Sequence, residues 1–266
     1  MDNTEGKSKG VWSEIAKDAY KDVVHPAAES TGKVLALLPQ AVNAALLPVR
    51  KWILYRDAQY EAVEQLLAKK LESVPPPQIV SPKPHVAVPA LNAIAYSMDS
   101  EELRNMYANL LASSMTKNMQ GNVHPSYVEI IKQLMPDEAR IMQFMYAYGN
   151  PIPAIVIREE LGNNNGGVNR VPCFTQLYQF VKEIEIKDPN RIAIYVDNLV
   201  RLQLLQIPDG RFLANETEYV AIENDPFVSR IKNSPLPEGH TWAITRRYIE
   251  MTVLGRAFCE VCIKGI

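Results

Sequence analysis

The chain has 266 residues, 47% of them hydrophobic and 22% charged, with a formal net charge of −2. That length and balance suit one or two globular domains with a real core and exclude a disordered chain. The near-neutral charge excludes a global field drawing the protein to nucleic acid or anionic lipid, and three cysteines (Cys173, Cys259, Cys262) exclude a disulfide framework.

Asp2, Glu5 and Glu14 precede the first apolar run, so the start does not read as a secretory signal and the cytoplasm is the expected location. Residues 12–24 space Trp12, Ile15, Ala16, Ala19, Tyr20 and Val23 as a short amphipathic helix, stopped at the His25–Pro26 step. Residues 34–49 (VLALLPQAVNAALLPV) form a stretch of sixteen residues without a charge, flanked by Lys33, Arg50 and Lys51. As a straight helix it would run about 24 Å, short of the roughly 30 Å hydrocarbon core of a bilayer, and Pro39 and Pro48 would disturb it. Two readings stay open. One is a kinked core helix; the other is an interfacial segment meeting a membrane or partner through Leu35, Leu38, Val42 and Leu46, its basic flanks among headgroups.

A helix is predicted from Lys51 to about Ser73, with Ile53, Tyr60, Val63, Leu67 and Leu71 as its buried stripe. Five prolines at 75, 76, 77, 82 and 84 then predict an extended, non-helical linker. The linker at 75–84 would separate an N-terminal helical region, 1–74, from a central helical block, 85–150. Within the block, Pro89 suits a first helical turn, Asp99 and Glu102 suit a capping box, and Leu103, Met106, Tyr107, Leu110 and Leu111 give one buried face. Pro125 opens a further helix carrying Tyr127, Ile130, Ile131 and Leu134. Pro136 opens another with Ile141, Phe144, Met145 and Tyr148, its first-turn acids Asp137 and Glu138 favoured by the helix dipole.

The runs AVPALNAIAYSMDSEELRNMYANLLASSM and VHPSYVEIIKQLMPDEARIM resemble the Abi-alpha family, long described only as a domain of unknown function. The resemblance covers residues 15–150 well and the remainder loosely. Its most specific parts are Ala108–Asn109–Leu110–Leu111 and the His124–Pro125–Ser126 helix start. Tyr107 stands where the family pattern would have tryptophan, and Met135 where it would have a small polar cap. The resemblance implies a setting in abortive infection, bacterial defence against phage, and brings no catalytic motif with it.

Residues 151–266 predict a winged-helix-like α+β module. It would comprise a loop at 162–167, helices at 174–184 and 197–205, strands at 211–213, 218–222 and 247–251, and a last helix capped by Thr252. Many such domains bind DNA, and Arg201, Arg246, Arg247 and Arg256 are the candidate contacts, beside Arg191, Asn198 and Gln203. The supply of basic charge is thin. Cys259 and Cys262 have no second ligand pair nearby for zinc, the four histidines are scattered, and no phosphate loop or nucleophile pattern is present. The expectation is therefore a mainly α protein with no catalytic set, metal or cofactor, acting by binding in phage defence. A phage-derived or host protein would be its trigger. Self-association and peripheral contact with the inner membrane stay open, and nucleic acid is disfavoured. A DNA-binding regulator or phage-component sensor is the first alternative, an enzyme assembled only in the fold the second.

Overall fold

The computed structural model describes residues 41–46, 57–97, 99–161, 168–173, 184, 186–188 and 191–266. The readings at 12–24, 162–167 and 174–183 lie outside them, as do Leu35, Leu38, Ile53 and the side chain of Tyr60. Two compact units are formed. The first joins the described residues up to Gln133 with Glu260–Ile266, and the second is Leu134–Cys259. The expected segmentation at 74, 84 and 150 follows proline content, whereas the units follow tertiary packing.

The first unit is helical: α1 (Asp57–Lys70), α2 (Pro84–Tyr96), α3 (Glu101–Ser114) and α4 (Ser126–Lys132), with a π-helical turn at Glu260–Lys264. Val63, Leu67 and Leu71 are buried as the α1 stripe requires. Three readings need correction. Helix α2 starts at Pro84, whose missing N–H costs nothing in a first turn, and it runs through Pro89 with one helical hydrogen bond absent. The α3 cap is Ser100, not Asp99; its Oγ accepts from Leu103 N at 3.4 Å. The proline run is not a free spacer. Pro76–Gln78 make a 3₁₀ turn, and Ile79 bridges to Thr116 through Val80 N to Met115 O at 2.7 Å and Lys117 N to Gln78 O at 2.9 Å. A run without helix still has to satisfy its amides, and the strand-like pairing does so.

Helix α3 is buried over every residue from Met106 to Ser114, more than the single stripe predicts. Small and polar residues at 108, 109, 112 and 113 let other segments approach closely. Asn109 Nδ2 donates to the Cys262 and Ile263 carbonyls at 3.1 and 2.9 Å, and Ser113 Oγ donates to Val261 O at 3.3 Å.

The second unit is α+β: α5 (Pro136–Tyr148), β1 (Ile152–Leu161), β2 (Val168–Cys173), α6 (Ile192–Arg201), β3 (Leu205–Gln206), α7 (Thr217–Glu223), α8 (Pro226–Lys232), β4 (His240–Met251) and α9 (Val253–Cys259). The sheet order is β2-β1-β4-β3, all antiparallel. The mainly α class with a C-terminal α+β module holds, but the strands lie elsewhere than expected. Residues 211–213 are not a strand, and 218–222 are inside α7, because Tyr219 and Ile222 are buried at i, i+3 while Val220 stays exposed. The 247–251 strand is the end of the longer β4. Helix α6 ends at Arg201 instead of continuing to 205; Gln203 has a positive φ of 58° and turns the chain into β3. Thr252 does cap α9, its Oγ1 accepting from Gly255 N at 2.8 Å. One face of the sheet packs Ile155 and Ile157 against Tyr219, Ile222 and Val228.

Candidate functional site

The second unit holds a buried polar cluster at the start of α5. Pro136 occupies the first helical position, so Asp137 and Glu138 fall where free amides and the helix dipole favour carboxylates. Both are buried, at 5% and 2% exposure. Glu138 Oε2 accepts from Met135 N at 2.7 Å, which supplies the cap that the Met135 side chain does not. Asn198 Nδ2 lies 2.9 Å from each Glu138 oxygen, and Asn198 Oδ1 accepts from Arg201 Nε and Nη2 at 3.0 and 2.6 Å. Asp137 Oδ1 accepts from Arg140 Nη1 at 2.9 Å and Lys187 N at 3.3 Å; its Oδ2 accepts from the Tyr195 hydroxyl at 3.2 Å.

Tyr195 and Asn198 are one turn apart on α6, so a single helix face delivers both donors. Burial raises the Glu138 carboxyl above its ordinary 4.5, against the pull of the Met135 and Asn198 hydrogen bonds. Burial likewise pushes the Tyr195 phenol up, and the Asp137 carboxylate adds to it. Every oxygen of the two carboxylates is committed to a donor, and the cluster acts as a polar clamp between α5 and α6. Sequence reasoning placed both acids in a first turn but missed their burial. The available signal was the spacing of Tyr195, Asn198 and Arg201 at three-residue steps on one side of α6.

The four candidate arginines do not form one patch. Arg201 is engaged by Asn198 within its own helix. Arg246 donates to Glu223 through Nε (2.8 Å) and Nη2 (3.2 Å) and to Glu216 through Nη1 (3.1 Å), and its guanidinium sits 5.1 Å over the Tyr219 ring. These glutamates hold the Arg246 proton more firmly than usual. Arg247, the next residue, points to the opposite sheet face, where its Nη2 pairs with Asp209 at 2.8 Å. Arg256 is exposed in the last turn of α9. Tyr219 ties this region together: its hydroxyl donates to Arg247 O at 2.8 Å and accepts from Leu213 N at 2.9 Å.

Two guanidinium donors are orphaned. Arg158 Nε and Arg247 Nη1 are buried with no hydrogen-bond partner among the described residues. Leaving such a donor unmade costs about 1–3 kcal/mol. Neither was singled out by sequence reasoning as a donor needing an acceptor, because only the fold decides which arginine atoms lose water.

Of the apolar stretch, residues 41–46 are helical, with Val42 and Leu46 at zero exposure. Among the described residues no helix is long and apolar enough to cross a membrane, and no group of three or more His, Cys, Asp or Glu could hold a metal ion. Cys259 and Cys262 are buried free thiols.

Residues 55–262 match the family described as abortive infection alpha. No curated protein matches the chain. An uncharacterized protein from the hydrocarbon-degrading marine bacterium Alcanivorax borkumensis SK2 is similar at 18% identity over 55% of this chain and 94% of its own, with a TM-score of 0.32.

Proposed function

From the premise that the chain belongs to the abortive infection alpha family, we propose that it serves bacterial defence against phage by binding rather than by catalysis. Residues 34–49 are its effector, held at rest through Val42 and Leu46 and released toward the inner membrane when a phage-derived or host protein binds. The observation that carries this reading is the zero exposure of Val42 and Leu46 within an uncharged stretch. Apolar surface held inside a resting protein is available for a second use once its cover is moved. Burying one such side chain is worth about 1.5–3 kcal/mol, so releasing both Val42 and Leu46 needs a trigger with at least about 3–6 kcal/mol of preference for the open form. The basic flanks Lys33, Arg50 and Lys51 would then meet anionic headgroups.

Leakage of dye from anionic vesicles tests it. Leu46→Ala loosens the resting packing by about 2–5 kcal/mol and should raise leakage without any trigger. Adding Leu35→Asp and Leu38→Asp to that variant should abolish the gain. Leakage that stays at the vesicle-only level in Leu46→Ala, or persists in the triple variant, removes the membrane step.

A further inference from the structure

One side of α3 is built to receive a second backbone. Ala108, Asn109, Ala112 and Ser113 share that side, and their small size lets another segment approach closely. The segment Glu260–Ile266 packs there. Asn109 Nδ2 reaches the Cys262 and Ile263 carbonyls, Ser113 Oγ reaches Val261 O, and Val261 and Cys262 are at zero exposure. Gly265 completes the fit, because a Cβ built there would lie 2.9 Å from Asn109 Oδ1 and 3.3 Å from Asn109 Cβ. These polar contacts run from side chains of α3 to main-chain carbonyls, the way a protein seats a peptide.

The seated segment is distant from α3 in sequence. The chain passes from the first unit to the second at Gln133–Leu134 and back at Cys259–Glu260. On the way back α9 runs directly into the π-helical turn, so residues 260–266 are carried by α9. The outward passage is Gln133, Leu134 and Met135, which stand outside any helix between α4 and Pro136. Pro136 keeps Met135 out of helical conformation, and its φ of −84° and ψ of 156° are extended. Such a passage can absorb a change of direction without breaking a helix.

We propose that this side of α3 is an exchange surface whose second occupant is the same segment of another copy of this chain, giving a dimer in which each copy donates residues 260–266 to the other. The occupant is fixed by what the seat accepts: the buried side chains of Val261 and Cys262, the carbonyls of 261, 262 and 263, and a glycine against Asn109. A second copy supplies that set in identical form. Exchange of identical elements keeps each contact of the seat, so it costs little beyond the entropy of association. The arrangement is reciprocal and closes on itself, with both seats filled. Because each copy's own segment competes as a tethered ligand, exchange is favoured where copies are crowded. The proposal uses neither the apolar stretch nor its release, and a failed vesicle experiment leaves it standing.

Cysteines placed across the seat test the exchange. The Cβ positions of 109 and 265 lie 3.3 Å apart, near the roughly 3.8 Å that a disulfide spans. A full chain carrying both Asn109→Cys and Gly265→Cys should therefore link internally under oxidised glutathione. The two single variants are then mixed. The segment with Gly265→Cys is rejected by its own Asn109 and accepted by the seat that Asn109→Cys has widened, while the unchanged Gly265 of that second chain fits the intact Asn109 of the first. The mixture should give a covalent species of doubled mass, joined 109 to 265 by mass spectrometry, and each variant alone should give none. Adding Val261→Asp to the Gly265→Cys chain sets a charge where the side chain has zero exposure and should abolish the species. An internal link in the double variant with no cross-link in the mixture overturns the proposal, since the segment then never leaves its own copy. A cross-link that survives Val261→Asp or joins other cysteines overturns it as well, and so does a double variant that forms no internal link. Where circular dichroism shows a single variant unfolded, light scattering of wild type decides. A dimer whose share grows with concentration and is lost in Val261→Asp supports the exchange; a monomer at every concentration, or a dimer that survives that substitution, overturns it.

Discussion

Glu138 sits at 2% exposure with its carboxyl raised chiefly by burial. A raised acid binds its proton more readily in the folded state than in the unfolded one. Its contribution to stability is therefore fully present below the ordinary glutamate value of 4.5 and is lost as pH rises through the higher folded value. Glu138→Gln removes this titration. The difference in unfolding free energy between wild type and Glu138→Gln, followed by urea denaturation from acid to neutral pH, should shift against wild type across that window. A difference that stays flat would show that the Met135 and Asn198 hydrogen bonds cancel the burial. At this scale the sequence made local chemistry legible and distant chemistry not. The Thr252 cap and the Pro136 start rest on neighbours a few residues away and could be read directly. The burial of Asp137 and Glu138 rests on Tyr195 and Asn198, 58 and 60 residues further on, and nothing in the local spacing of 136–138 announces it.

Gly255 shows how one element is seated on another. A Cβ built there would lie 2.1 Å from the Leu204 carbonyl oxygen, which itself accepts from Thr252 N at 3.1 Å. The obstacle is backbone, so no rotamer change relieves it. Gly255→Ala should destabilise by about 1–3 kcal/mol or more, as overpacking does, and urea denaturation of the purified variant would measure it; an unchanged midpoint would mean that α9 can slide away from residue 204. Helix α9 was legible and the strands before it were not, for a reason that lies in its cap. A helix with a threonine cap carries its signal within itself, whereas β1 and β4 are defined by each other across the register from Ile152↔Ile249 to Leu161↔His240. Residues 218–222 have the composition of a strand, yet the core takes Tyr219 and Ile222 from one side of a helix. Strand preference is weak when burial can be met at helical spacing. Helix α3 departs in the other direction: its stripe of large residues was legible, but the burial of Asn109 and Ser113 depends on a segment about 150 residues away.

At the scale of the molecule, the first unit is discontinuous in sequence: the chain leaves it at Gln133 and returns at Glu260. The returning turn buries Val261 and Cys262 and supplies the carbonyls for Asn109 and Ser113. Ending the chain after Cys259 should take away the acceptors of Asn109 and Ser113, open that side of α3 to water and remove the apolar contacts of Val261 and Cys262. Hydrogen exchange would report it as faster exchange of the α3 amides, with those of β4 changed much less; equal loosening of both would mean that the two units unfold as one. Composition made the helical class legible, and the proline run suggested a border that tertiary packing does not respect.

That return visit has a bearing on how the protein is made. Residues 260–266 leave the ribosome only after the whole of 134–259, so Asn109 and Ser113 wait through the translation of more than a hundred codons before their acceptors exist. During that interval the seam on α3 stays open, so the helical unit cannot complete its packing until residues 260–266 have emerged.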